Sequence, residues 1–380
     1  MDRRVPLTTI AAEWLRLGAI GFGGPPTHIR LLRRLCVERR GWMTAEEFED
    51  GIAATTLLPG PASTQLAIYC AWRIGGAPGG LLGGACFIAP GLVAILVLAA
   101  IFLSQRPPGW VLGAAAGAGA AVPAVAIAAA AALLPASLAR TGPARLNRVR
   151  WIVYLLAGAT AAATVGEWLV LLLIACGLAE TIARGQVSIP KSLPAVFALT
   201  GSLSGASALA LAWVAFKVGA LSYGGGFVII PLMQHDVVQT YHWMTGSQFL
   251  DAVALGQVTP GPVVLTVAVV GYAAGGSAGG LLATLVAFAP SFAFVLIGGP
   301  HFRRVRQSAL AQAFLLGAGP TAIGAIAGAS IPLALALTHS WQAVVLALTV
   351  VWLLVLRRGV VSALLGTAAL GMLITQLGIS

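Results

Sequence analysis

The residues best suited to chemistry lie in two backbone-breaking motifs, each of which occurs twice. Leu58-Pro59-Gly60-Pro61-Ala62-Ser63-Thr64-Gln65 is matched by Thr259-Pro260-Gly261-Pro262, and Gly21-Phe22-Gly23-Gly24-Pro25-Pro26 by Ser222-Tyr223-Gly224-Gly225-Gly226. Proline removes a backbone donor and breaks a helix. A helix that resumes after a Pro-Gly-Pro break exposes unpaired N–H groups and a positive dipole end. Two such half-helices aimed at one place would make a cage for an anion. The candidate substrate-binding residues are therefore Gly23, Gly24, Pro59, Gly60, Pro61, Ser63, Gln65, Tyr223, Gly224, Gly225, Gln257, Thr259, Pro260, Gly261 and Pro262. Thr64 and Thr266 are further hydroxyl donors. Glycine at positions 60 and 261 leaves room for close approach of an anion. The alternative is that glycine and proline serve only helix packing and kinks.

Two cations and two acids add to the set. Arg16 and Lys217 interrupt apolar runs, and cations inside a membrane are costly and usually functional. They join the substrate-binding candidates, with snorkelling to an interface as the competing reading. Asp50 and Asp251, each nine residues before a Pro-Gly-Pro, are proton-coupling candidates, with helix capping as the competing reading. His28 and His235 occur singly, without metal-ligand spacing, and read as loop histidines. No metal site or cofactor is expected. No P-loop, nucleophile motif or HExxH occurs, which argues against an enzyme and against an ATP-driven pump.

These residues must be positioned by membrane helices. The chain of 380 residues is 59% hydrophobic and 9% charged, against about 25% charged in soluble domains. Long apolar runs cover 79–103, 110–139, 281–297 and 309–338. The net charge of +11 is explained by Lys and Arg collecting in cytoplasmic loops, so no nucleic-acid partner is expected. The four cysteines form no CxxC and read as packed thiols. Residues 28–40 place arginines and leucines at helical spacing, as in a basic amphipathic helix on the inner membrane surface.

The chain repeats itself. Residues 16–61 align with 217–262 without a gap, and sixteen of 46 positions are identical, including Trp42/Trp243, Phe48/Phe249 and Asp50/Asp251. Shared apolar bias does not produce matched Trp, Asp and Pro-Gly-Pro. One residue is then lost, and Gly75-Gly76 and Ala89-Pro90 recur 200 residues later. The expected organisation is a first repeat over 1–183, a linker over 184–208 and a second repeat over 209–380. The loop 25–47 holds five arginines and its counterpart 227–250 holds no Lys or Arg, which predicts inverted topology. The predicted fold is an all-α polytopic membrane protein of about ten transmembrane helices plus two broken re-entrant Pro-Gly-Pro segments. The first-half spans are 9–24, 79–103, 110–139, 151–165 and 167–183. Those of the second half are 209–226, 279–298, 309–338, 340–356 and 360–378. With the N-terminus outside, 17 of the 22 Lys and Arg fall on inside loops.

The motifs resemble the chromate transporter family in its two-domain form. Phe22-Gly23-Gly24-Pro25 with His28-Ile29, Glu38-Arg39-Arg40-Gly41-Trp42, Leu58-Pro59-Gly60-Pro61 and Gln65 carry the likeness in the first half. Ser222-Tyr223-Gly224-Gly225-Gly226, Trp243-Met244 and Thr259-Pro260-Gly261-Pro262 carry it in the second. The chain departs from the pattern at Thr56, where a Gln is expected, and at Thr27, where a small apolar residue is usual. The resemblance implies export of chromate, an oxyanion similar to sulfate, across the inner membrane by a secondary transporter. An anion channel and a sulfate uptake carrier use the same cage and are the alternatives. The expected partners are the oxyanion, the lipid bilayer and a second copy of the chain in a homodimer.

Overall fold

The computed structural model describes residues 5–104, 106–164, 168–186, 208–222, 229–299 and 308–378, and within them all regular structure is helical. Helix α1 (Leu7–Ile20) is buried through Ile10, Trp14 and Leu17. The chain turns at Gly23 and Gly24, whose φ values of +95° and +72° are open to glycine, and Pro25 starts α2 (Pro25–Arg33). A π-turn (Arg34–Arg39) extends α2 back along α1. Glu13 of α1 accepts from Arg40 at 2.5 Å, and Trp14 stacks on Trp42. Fourteen residues rise about 21 Å, short of a ~30 Å hydrocarbon core. The expected span over 9–24 is therefore replaced by a helical hairpin with its tip at Gly21–Pro26.

A second hairpin follows. Thr44 and Glu47 form a capping box that opens α3 (Ala45–Leu57). Pro59-Gly60-Pro61 breaks the helix, and α4 (Ala62–Phe102) leaves in the reverse direction, with the Tyr69 ring packed on Gly51. Helix α4 is itself folded: Gly76, at φ 68°, separates an arm 62–75 from an arm 77–102. Glycines 79 and 83 let the long arm lie against Ala71. The base of this hairpin meets the start of α1, where the Val5 N–H donates to the Ile74 carbonyl at 3.0 Å. Both first-half hairpins thus open on one face, with Arg73 and Glu47 paired at 2.6 Å.

The same elements return in the second half. Helices α8 (Ala208–Leu221) and α10 (Gly246–Val258, capped by Thr245 and Gln248) carry the bounds of α1 and α3 shifted by 201 residues. Between them lie α9 (Ile229–Gln234) and a π-turn (His235–Thr240). A 3-10 turn (Val263–Leu265) leads into α11 (Thr266–Gly298), which folds at Gly275-Gly276 as α4 does at Gly76.

The arms 77–102 and 277–298 cross antiparallel. Gly80 meets Leu296, Gly84 meets Phe292, and Gly280 meets Leu96. The remaining helices interlock the halves. Helix α5 (Gly109–Ala139) packs on α13 (Ser340–Val350) and α14 (Val360–Gln376), whereas α12 (Ala309–Leu335) packs on α6 (Arg145–Thr164) and α7 (Leu169–Ala183). Gly113 and Gly117 of α5 sit against Gly371, and Gly324 and Gly328 of α12 against Leu155 and Ala159. A side chain at these crossings would meet backbone, so the glycines set the helix separation. Four helical stretches, Ala62–Phe102, Gly109–Ala139, Val263–Gly298 and Ala309–Leu335, are long and apolar enough to cross a membrane. Exposed Val93, Val97, Leu285 and Ile297 on the long arms suit an acyl environment. The linker expected over 184–208 lies mostly outside the described residues.

Candidate functional site at four helix tips

Each half contributes two hairpin tips, and each tip is bonded into the other half. The Gly60 N–H donates to the Ser222 carbonyl at 2.7 Å, and the Gly261 N–H donates to the Gly21 carbonyl at 2.9 Å. Gly60 and Gly261 are repeat mates, as are Gly21 and Ser222. The tips also rest on the opposing long arms. Ser291 Oγ lies 3.1 Å from where a Cβ on Gly60 would sit, and the Pro260 carbonyl packs on its counterpart Gly91. The φ values of Gly60 and Gly261, +118° and +99°, belong to a region that side-chain-bearing residues rarely enter. A Cβ at Gly60 would strike the Gln65 amide.

The expected anion cage is thereby modified. The Pro-Gly-Pro glycines do not present free N–H groups, because the partner half occupies them. The donors left are the first-turn N–H groups of the helix after the break. Thr64 and Gln65 donate back to the Pro61 carbonyl, and no side chain caps the turn that starts at Ala62 and Ser63.

Side chains add a second layer. Thr64 Oγ1, Gln65 Oε1, Ser222 Oγ, Gln257 Nε2 and Ser291 Oγ are buried without a hydrogen-bond partner. Most buried polar atoms are paired, and an unpaired one costs about 1–3 kcal/mol. Five on the tips and the arm they rest on form a polar lining that a ligand with several oxygens can satisfy. Gln65 Nε2 donates to the Pro59 carbonyl at 2.7 Å, which fixes the amide so that its oxygen faces the lining. The lining is asymmetric: Ser63, Thr64 and Gln65 in the first half correspond to Val264, Leu265 and Thr266 in the second. The Thr259 and Thr266 hydroxyls are already bonded, to the Leu255 carbonyl at 3.0 Å and the Val263 carbonyl at 2.9 Å.

His28 is the residue that sequence reasoning missed. It is 1% exposed, not a loop histidine. Its Nε2 lies 2.9 Å from the Gly21 carbonyl and its Nδ1 3.1 Å from Ser63 Oγ, with the Phe87 ring edge-on to it. Ser291 was also unmarked; the sequence signal is its position next to the repeated Ala289-Pro290. Gly24 approaches Val263 of the opposing tip, whereas Gly23 is exposed. Tyr223, Gly224 and Gly225 lie outside the described residues.

The four charged candidates stand away from the tips. Lys217 is held by Asp236 at 2.5 Å. Arg16 is exposed in a shallow cavity of about 280 Å³ with Glu13, Arg34 and Arg39. Asp50 is exposed on α3. Asp251 faces Gly119 of α5 in a cavity of about 390 Å³, lined also by Ser247, His339, Gln342 and Thr375.

Comparison with known proteins places this architecture. The family model for the chromate transporter matches residues 8–181 and again 209–372, the two halves described above. The chain is 31% identical over 337 residues to the chromate transport protein of Cupriavidus metallidurans, covering 86% of this chain and 82% of that protein. It is 30% identical to the chromate transport protein of Pseudomonas aeruginosa, covering 85% and 80%. It is 29% identical to the probable chromate transport protein of Synechococcus elongatus, covering 86% and 84%. No solved structure matches the fold. A twice-matched family model and relatives aligned over most of both chains establish that this chain belongs to the chromate transporter family.

Proposed function

We propose that the chain is a secondary transporter of the plasma membrane that exports chromate or a related tetrahedral dianion, driven by the proton or voltage gradient. The oxyanion sits where the four tips meet. The observation that carries this reading is the set of five unpartnered buried polar atoms on Thr64, Gln65, Ser222, Gln257 and Ser291. A dianion with four oxygens accepts several hydrogen bonds from hydroxyl, amide and first-turn N–H donors, and such charge-assisted bonds are roughly twice as strong as neutral ones. Gln65 Oε1 is the acceptor in the set and suits a water or a protonated oxygen of the ligand.

The antiparallel arms support inverted repeats, in which each half's hairpins enter from one side of the membrane. Rocking one half on the other would expose the tips alternately to the two sides. Arg33, Arg34, Arg39, Arg40 and Arg73 assign the first-half hairpin face to the cytoplasm. Because α1 turns back and Val5 bonds Ile74, the N-terminus joins that face, in place of the outside location expected from a crossing α1. Asp251, in its cavity at the base of the second-half hairpin, remains a candidate for proton uptake.

Flux of radiolabelled chromate and sulfate into proteoliposomes, with imposed proton and voltage gradients, tests the reading. Saturable chromate flux that follows the gradient and is inhibited by sulfate is expected. Gradient-independent flux at channel rates would replace the carrier with a channel.

A further inference from the structure

A dianion at the tips needs positive charge, and Arg16 and Lys217 do not supply it there. Among the described residues hydrogen-bonded to the tips, His28 is the one that can become a cation. Its ring is wedged between three elements: the end of α1 through Gly21, the arm 62–75 through Ser63, and the arm 77–102 through Phe87. None of these three residues titrates. Across the Gly21 carbonyl lies Gly261 of the other half, which is uncharged too. The charged residues on its own helix, Arg30 and Arg33, are exposed. Helix α2 has nine residues, too few to cross a membrane. Burial pushes the His28 pKa down from 6.5, and the bond to the Gly21 carbonyl opposes this.

The geometry defines two states. In the neutral ring, Nε2–H donates to the Gly21 carbonyl, so Nδ1 has only a lone pair and accepts the Ser63 proton. The Ser63 hydroxyl is then occupied. When a proton from solution binds Nδ1, that nitrogen becomes a donor and Ser63 Oγ must accept. The Ser63 hydrogen rotates away and can donate to a ligand oxygen, one turn from the first-turn N–H groups. Protonation thus adds a nearby positive charge and a hydrogen-bond donor in one step, with the Gly21 bond intact. We propose that His28 is a proton-binding site linked to the oxyanion site through Ser63, so that one proton on the ring favours binding of the dianion. This rests on the oxyanion reading above.

Linkage fixes the sign: oxyanion binding raises the His28 pKa, and affinity rises as pH falls below the ordinary histidine range. Sulfate is the suitable probe because it stays a dianion from mildly acid to neutral solution, whereas chromate itself titrates. Purified full-length protein in lipid nanodiscs should show its sulfate Kd falling by about tenfold per pH unit at the steepest, the limit for one linked proton. It should also take up protons from weakly buffered solution when sulfate is added at acid pH. His28→Gln, which keeps an N–H near the Gly21 carbonyl, should bind sulfate with the wild-type high-pH Kd at every pH and take up no protons. Ser63→Ala should flatten the profile in part, since the charge remains and the donor is lost. Sulfate binding by the wild-type protein without pH dependence or proton uptake overturns the His28 proposal and leaves the oxyanion site standing. An unchanged slope in His28→Gln overturns it too and moves the proton to another group, Asp251 first. Absence of any sulfate or chromate binding overturns both.

Discussion

The Gly261 N–H donates to the carbonyl of Gly21, 240 residues earlier in the chain, and this bond joins the tips of two hairpins from different halves. Its counterpart, from Gly60 to Ser222, makes the junction reciprocal. Two backbone bonds thus register the halves at the place where the unpartnered side chains gather. A binding site built this way is shared by both halves from the outset.

The lining makes a graded prediction for hydroxyls. Ser222→Ala and Ser291→Ala each remove an unpartnered donor, so each should weaken oxyanion binding by about 10- to 100-fold, the equivalent of ~1.5–3 kcal/mol for a bond to a charged group. Stability should hold or rise slightly. Thr259→Ala removes a hydroxyl already bonded to its own helix, so its Kd should stay within about threefold of wild type. Equal losses in all three, read by calorimetric titration, would refute the assignment.

Gly91 tests the contact between a tip and the opposing arm. A side chain there would strike the Pro260 carbonyl. Gly91→Ala should push the second-half tip away and destabilise the fold by about 1–3 kcal/mol, as overpacking does. Gly366, with nothing nearby, should tolerate alanine. Thermal unfolding in detergent of the two variants gives the comparison, and equal melting temperatures would count against the docked tip.

Lys217 and Arg16 should separate, although they are repeat mates. Lys217→Gln leaves Asp236 buried without its cation, at a cost on the order of 3 kcal/mol. Adding Asp236→Asn should recover most of the loss. Arg16→Gln, at an exposed position, should change stability by less than about 0.5 kcal/mol and leave oxyanion affinity unchanged. A large affinity loss in Arg16→Gln would return this residue to the binding site.

Glu38 and Gln239 are exposed repeat mates at the ends of the two basal turns. Single cysteines at these positions, in a chain otherwise free of cysteine, should react with an impermeant maleimide from opposite sides of the membrane. Glu38→Cys should label from the cytoplasmic side only. Labelling of both from one side would rule out inverted halves.

Much of this was legible in the sequence. Composition alone required a membrane, because so few charges cannot cover so much apolar surface in water. The repeat was visible because Trp, Asp and Pro-Gly-Pro match at fixed offsets, and α3 and α10 fall at the predicted separation. The helix breaks at Gly60 and Gly261 followed from the chemistry of proline and glycine, which acts on the local backbone. Tertiary structure decided what depends on partners far along the chain. Whether α1 crosses or turns back rests on contacts such as Glu13 with Arg40. Whether the Gly60 N–H is free rests on Ser222, 162 residues away. Lys217 and Arg16 look alike in their runs, but only one has an acid beside it in the fold. His28 reads as an ordinary loop residue until packing buries it between Gly21 and Ser63. Periodicity and local propensity act over a few residues, whereas the pairing of a buried polar group is fixed by whichever element the fold places against it.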